Sequence, residues 1–213
     1  MAQPASLLVA DDHPLIREGL TAGFRSLAPG WTVRSAATAA ETLQALDEAP
    51  ADLVLLDIDM PGWSGLGGLL DLLARGGPTR VAILSATVEP ALIGRALTLG
   101  ARGYLPKSLD LREVMEAVES MLAGQLYVPT AFRGSPLPFE PEALRLASLS
   151  PQQHRILRMI VAGALNKQIA AALEISEQTV KDHVSQILRK TGATTRTQAA
   201  IIAERVAIGK TAP

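Results

Sequence analysis

Short runs of apolar residues that stop at a polar side chain recur through the first 125 positions. Ser6 to Ala10 ends in Asp11 and Asp12. Leu53 to Leu56 ends in Asp57, Asp59 and a Pro61-Gly62 turn. Arg80 to Leu84 ends in Ser85, and Gly103 to Pro106 ends in Lys107. A short unbroken apolar run bounded by turn residues predicts a strand buried on both faces, as in a parallel sheet. Trp31 to Ala36 is a further strand candidate. Between these runs the period changes. Pro14 suits the first turn of a helix with Leu15, Ile16, Leu20, Phe24 and Leu27 on its apolar stripe. Further helices are predicted over 39–46, over 64–74 (weakened by Gly67 and Gly68), over 90–99 with Gly100 as a stop, and over 109–122 with Gly124 as a stop. The last carries Leu111, Val114, Met115, Val118 and Met121 along one face. Strands alternating with helices predict an α/β doubly wound, five-stranded parallel sheet with helices on both faces.

The pattern then changes. Residues 126–148 hold Pro129, Pro136, Pro138 and Pro141, dense enough to prevent a continuous helix and to predict a linker, with a short helical turn at 142–146. From Leu149 the spacing is helical throughout. Ser150, Pro151 and Gln153 start one helix; Asn166 is expected to cap a second; Ser176 caps a third; Thr195 with Gln198 opens a fourth. The third carries Val180, Val184, Ile187 and Leu188 inward and Gln178, Lys181, Asp182, Ser185, Gln186 and Arg189 outward. Two helices joined by a tight turn, the second polar outside, predict a helix-turn-helix in a small all-α domain. In such units the second helix enters the major groove of double-stranded DNA. The expected division is 1–125, a linker over 126–148, and 149–213.

Composition narrows the function. Without cysteine, the chain of 213 residues has no disulfide framework and no thiolate nucleophile or metal ligand. No apolar run approaches the roughly 20 residues of a membrane span, and the N-terminus lacks the basic and apolar regions of a secretory signal, so a cytoplasmic protein with no membrane partner is expected. The net charge of −1 hides an asymmetry: nine Lys and Arg against fifteen Asp and Glu up to Gln125, and eleven against six beyond it. A basic half fits a nucleic-acid partner.

In an open α/β sheet the site lies beyond the carboxyl ends of the strands. Asp11, Asp12 and Asp57 converge there as hard oxygen ligands suited to Mg²⁺. Lys107 and Ser85 are placed to neutralise an incoming phosphoryl group while a carboxylate serves as nucleophile.

These residues, in this order, resemble the receiver domain of two-component response regulators. The resemblance implies that Asp57 accepts the phosphoryl group, that Asp12 and Asp57 bind Mg²⁺ directly, and that Asp11 and the backbone carbonyl of Asp59 assist. It implies that Ser85 and Lys107 contact the phosphoryl oxygens and that Tyr104 is the aromatic switch residue paired with Ser85. Asp59 and Thr87 occupy positions that tune phosphoryl lifetime in receivers. His13 is expected to be a loop residue, neither ligand nor phosphodonor, and Trp63 to be loop packing. Many receivers place a cis proline after the lysine; here Pro106 precedes Lys107 and Ser108 follows, so no cis Lys-Pro bond is expected.

Leu149-Ser150-Pro151, Asn166-Lys167-Gln168-Ile169-Ala170 and Ile175 to Val184 (ISEQTVKDHV) closely resemble the LuxR-type DNA-binding domain. With the receiver, the chain resembles a NarL/FixJ-type regulator. By that resemblance Lys181 is the base-contact candidate with Asp182 and Ser185 beside it, and Asn166, Lys167, Thr179 and Arg189 are phosphate-contact candidates. Two departures stand out. Gln153 occupies a position where Glu is common, which removes a salt bridge, and Asp182 places an acid on the groove-facing side. The resemblance also implies a sensor histidine kinase or small phosphodonor, RNA polymerase as a candidate contact, and a homodimer on phosphorylation. The DNA-binding half is expected to rest on its own receiver beforehand and mask the recognition helix. Two rival readings remain: a phosphorylation-independent DNA-binding regulator, and a phosphatase with an aspartate nucleophile, suggested by Asp57-Ile58-Asp59.

Overall fold

The computed structural model describes residues 4–134, 136–138 and 140–208. The apolar runs form β1 (Ser6–Ala10), β2 (Thr32–Ala36), β3 (Leu53–Asp57), β4 (Arg80–Ser85) and β5 (Gly103–Pro106). They pair in parallel in the order β2-β1-β3-β4-β5, which puts β3 at the centre. Leu56 lies opposite Ala10 on one side and Ile83 on the other. The period of two sorts each strand's side chains between two layers. Leu53 and Leu55 join Leu7, Val9 and Leu84 beneath α1 (Pro14–Leu27) and α5 (Leu111–Leu122). Val54 and Leu56 join Leu8, Ala10 and Ile83 beneath α2 (Ala39–Glu48), α3 (Gly67–Arg75) and α4 (Pro90–Leu99).

Helix ends follow local chemistry. Thr38 Oγ1 accepts from the Glu41 amide at 3.1 Å at the start of α2. Asp110 and Glu113 form a reciprocal capping box, so α5 begins at Leu111 and not at Leu109. The helix expected from Ser64 starts at Gly67, after turns at residues 61–62 and 65–66. Gly100 ends α4 with φ +116°. In α1, Phe24 is buried, but Leu15 is 85% exposed and Leu27 52%. The apolar stripe of α1 is therefore buried over a shorter length than the spacing predicts.

The second half contains α6 (Pro141–Ala147), α7 (Pro151–Val161), α8 (Asn166–Leu173), α9 (Glu177–Thr191) and α10 (Arg196–Ile208). Ser150 and Gln153 cap α7 reciprocally, and Ser176 caps α9. Asn166 does not cap α8: Gln168 Oε1 accepts from the Leu165 amide, and Asn166 Oδ1 instead accepts from Arg196 Nη1 at 2.9 Å. Lys190 Nζ donates to Gln153 Oε1 at 2.9 Å, a charge-assisted hydrogen bond where a glutamate would give an ion pair.

The proline-rich joint is fixed along much of its length. Tyr127 bridges to Gly103, a 3-10 turn covers Thr130–Phe132, and Ala143 and Leu146 of α6 are fully buried. Arg95 of α4 pairs with Glu140 at 3.3 Å. The Pro138 carbonyl lies so close to Gly94 that a Cβ there would meet it at 2.6 Å.

The two halves share a seam. Asp71 of α3, buried, accepts from Trp63 Nε1 at 2.5 Å and pairs with Arg158 of α7. The Leu66 amide donates to the Ala207 carbonyl of α10 at 2.8 Å. One apolar core runs from the β3–β4 layer through Leu69 and Leu146 to Ile156, Ile160 and Val206. The second half therefore does rest on the first, but through α6, α7 and α10. The outward side chains of α9 stay exposed, so the expected masking of that helix is not what the structure has.

Candidate functional site

Asp57 is the last residue of β3; it lies opposite Leu84 of β4, one residue beyond the Leu56–Ala10 pair that ends the ladder with β1. Asp11 and Asp12 follow β1, Ser85 closes β4 and Lys107 follows β5, so four strand ends surround one point. Lys107 Nζ lies 2.7 Å from Asp57 Oδ2 and 2.9 Å from Asp11 Oδ2. Burial pushes the Asp57 carboxyl up and Asp11 adds to the rise, while the hydrogen bond and charge of Lys107 oppose it. For Lys107, burial favours the neutral amine, but its bonds to Asp11 and Asp57 win and the pKa is raised. A buried acceptor carboxylate with a fixed ammonium against it is poised to receive a group that brings negative charge.

The Asp59 amide donates to Asp57 Oδ1 at 3.3 Å, and the Asp59 side chain is exposed outside the cluster. Ser85 is buried, its carbonyl accepts from the Lys107 amide at 2.8 Å, and its Oγ accepts from the Thr87 amide at 3.1 Å. Tyr104 is fully buried and donates to the Thr87 carbonyl at 2.6 Å. The ring of this candidate switch residue lies inward in this structure.

One residue beside the site escaped the sequence reading. Arg17 Nη1 donates to the carbonyls of Asp11 at 2.9 Å and Asp12 at 3.2 Å, bracing the acidic loop from the first turns of α1. A cation one helical turn past Pro14 was the available signal. His13, assigned to the loop, places Nδ1 2.7 Å from Asp12 Oδ1, 3.2 Å from Asp11 Oδ1 and 3.4 Å from Lys107 Nζ. Sequence spacing gives no sign of which way that ring turns. Asp11, Asp12, His13 and Asp57 each offer a ligand atom within 4.8 Å of the others, and this donor set suits a divalent cation.

On the other half, Lys167, Lys181, Asp182, Ser185 and Arg189 are exposed, and Asn166 and Thr179 are half-buried. Gln178 Nε2 donates to Asp182 Oδ1 at 3.0 Å, so the acid is partly occupied by its own helix. Ser185 Oγ donates back to the Lys181 carbonyl at 2.9 Å. Lys181 and Arg189 project with no ion pair among the described residues. No helix among the described residues is long and apolar enough to cross a membrane.

Residues 7–119 match the response regulator receiver domain family, and residues 147–203 match the bacterial regulatory proteins of the luxR family. The chain is 37% identical to the glycerol metabolism activator of Pseudomonas putida, over 92% of this chain and 94% of that one. It is 32% identical to the nitrate/nitrite response regulator NarL of Escherichia coli K12, over 93% and 94%. Among solved structures it is similar to the signal receiver domain of a NarL response regulator from Mycobacterium tuberculosis. That match is 33% identical with a TM-score of 0.52, covering 58% of this chain and 99% of that one. RcsB of Salmonella typhimurium shares the fold at 19% identity, with a TM-score of 0.58 over 95% and 99%.

Proposed function

Because the chain belongs to the response regulators that join a receiver domain to a LuxR-type helix-turn-helix domain, we propose that Asp57 is its phosphorylated residue and that residues 149–213 carry the signal to DNA. As a family member it is a phosphorylation-controlled DNA-binding regulator of transcription, and the relatives it matches are regulators, not enzymes. The observation that carries the assignment is the Lys107 ammonium at 2.7 Å from a buried strand-end carboxylate.

An Asp57 oxygen attacks the phosphorus of a donor phosphohistidine or acyl phosphate. The donor's P–N or P–O bond breaks, its electron pair leaves with the donor, and an aspartyl phosphate forms. Lys107, already paired with Asp57, keeps the nucleophile ionised and then pairs with phosphoryl oxygens. Ser85 Oγ, on the adjacent strand end, donates to another. Asp11, Asp12 and Asp57 are the residues that would hold Mg²⁺, with the Asp59 carbonyl assisting. That ion supplies positive charge to the phosphoryl oxygens when bound. A sensor histidine kinase is the proposed donor and the cytoplasm the proposed setting. The proposed division is 1–125, 126–148 and 149–213.

Lys181 reads a base edge, and Asn166, Lys167, Thr179 and Arg189 approach phosphates, with Asp182 and Ser185 beside the base contact. A phosphorylated dimer would present two such helices about 34 Å apart. The test is acetyl phosphate labelling with divalent cation, read by intact mass. One phosphoryl group should appear in the wild type and none in Asp57→Asn, and Asp12→Ala should lose cation-dependent labelling. Equal labelling of Asp57→Asn would remove the assignment.

A further inference from the structure

We propose that His13 is a fourth side-chain ligand of the cation held by Asp11, Asp12 and Asp57, and that its imidazole shifts the site's preference from Mg²⁺ toward Mn²⁺ and the later first-row divalent ions. The inference rests on the receiver reading of this site and concerns which metal it selects. The carboxylates alone make an all-oxygen site, the kind Mg²⁺ favours, whereas imidazole nitrogen favours transition ions.

Three observations support it. The first is spacing. At metal–ligand distances of about 2.1 Å, neighbouring ligands of an octahedral ion lie about 3 Å apart and opposite ones about 4 Å apart. His13 Nδ1 lies 2.7, 3.2 and 3.8 Å from oxygens of Asp12, Asp11 and Asp57, and one ligand atom from each of the four residues falls within 4.8 Å of the rest. The second is an orphaned acceptor: Asp12 Oδ1 is buried and receives no hydrogen bond, although His13 Nδ1 is its close neighbour. The two atoms lie 2.7 Å apart, near the separation of neighbouring ligands on one ion. The third is the backbone. The His13 amide donates to Asp11 Oδ1 at 2.8 Å, and Pro14 at the first turn of α1 holds His13 extended at φ −76° and ψ 111°. The ring therefore springs from a fixed point at the mouth of the acidic loop.

The test uses the full-length protein. Electron spin-echo modulation of bound Mn²⁺ reports directly coupled ¹⁴N. Calorimetric titration with Mg²⁺ and with Mn²⁺ gives the preference of the wild type, His13→Ala and His13→Asn. The wild type should show nitrogen coupling that both variants lose. Loss of a partner in the outer coordination shell typically costs about tenfold in affinity, so loss of the ligand itself should lower the Mn²⁺/Mg²⁺ affinity ratio by at least about tenfold. No nitrogen coupling in the wild type, no Mn²⁺ binding, or an unchanged ratio would overturn the proposal. Tighter binding of both ions by His13→Ala would overturn it too, because the imidazole would then be occupying the ion's place. Acetyl phosphate labelling of wild type with Mg²⁺, run alongside, keeps the two readings apart. Labelling without nitrogen coupling sinks only the role of His13, and absent labelling sinks the phosphoacceptor itself.

Discussion

At the scale of single residues, the proposed acceptor carboxylate stands in tension with the fold around it. Asp57 is buried, faces Asp11, and has its pKa raised by both, so ionised Asp57 destabilises the folded chain at neutral pH. Asp57→Asn removes that charge while Lys107 keeps Asp11 as a partner. The variant should melt several degrees above wild type in chelator by scanning calorimetry. Adding divalent cation should narrow the gap, because a ligand that binds only the folded state stabilises the form that holds it better. A variant that melts lower in chelator would contradict this. Asp57, Ser85 and Lys107 were legible from sequence because a parallel strand's carboxyl end is a fixed address, and an abrupt polar stop marks it. His13 was not, because the turn of a ring after an acidic pair depends on three-dimensional neighbours contributed by β3 and β5. The outward side chains of α9 were legible from their helical period. Lys181→Ala should weaken operator binding by about 1–3 kcal/mol and relax preference at one base position. A uniform loss across sequences with a shallower salt slope would instead make Lys181 a phosphate contact. Competition binding against single-base operator variants separates the two.

At the scale of elements, the strands fall within a residue of their predicted bounds and the helices drift further. The Asp110–Glu113 pair was a readable capping signal that an apolar count starting at Leu109 passes over. The late start of α3 needed the turns after Pro61, which period alone does not reveal. Trp63, expected to be loop packing, lies in the loop and also donates to Asp71 of α3, the acid that pairs with Arg158 of α7. Burial raises Asp71 to about 6 from an ordinary 3.8, although Arg158 and Trp63 pull it down. An acid with a raised folded pKa binds its proton more tightly when folded. Its contribution to stability is fully present below about 4 and lost as pH rises through 6. Asp71→Asn preserves an acceptor for Trp63 and has no charge to bury, so the variant should gain on wild type as pH rises from 5 to 7.5. Between these two pH values the gain should be about 1–1.5 kcal/mol. Urea unfolding of both proteins at the two pH values checks it, and a difference independent of pH would show that Arg158 offsets the burial.

At the scale of the whole molecule, the two halves and their order were legible from the change of period and charge, but their contact was not. Nothing in an amphipathic pattern says which neighbour will cover an apolar face, and α7 proves to share its face with α3. Because the docked form leaves α9 exposed, phosphorylation should act on pairing more than on access. In anisotropy titrations, affinity for a single half-site should change less than about twofold on phosphorylation, while affinity for a paired site should rise by an order of magnitude or more. A half-site response as large as the paired-site response would mean that the surface is hidden in solution. The seam has a further consequence. Trp63 and Asp71 lie in the first half and Arg158 in the second, and one apolar core crosses between the halves beside them. Sensors and outputs of different regulators are often imagined as interchangeable cartridges. Here a graft made at the proline-rich joint would bring a foreign helix against α3, leaving Asp71 buried without its guanidinium. Chimeras cut at residue 148 should therefore be poorly soluble and prone to proteolysis, and transplanting α7 together with its receiver should rescue them. Drift at the three seam positions would be inherited as one unit, so each half constrains which versions of the other it can accept.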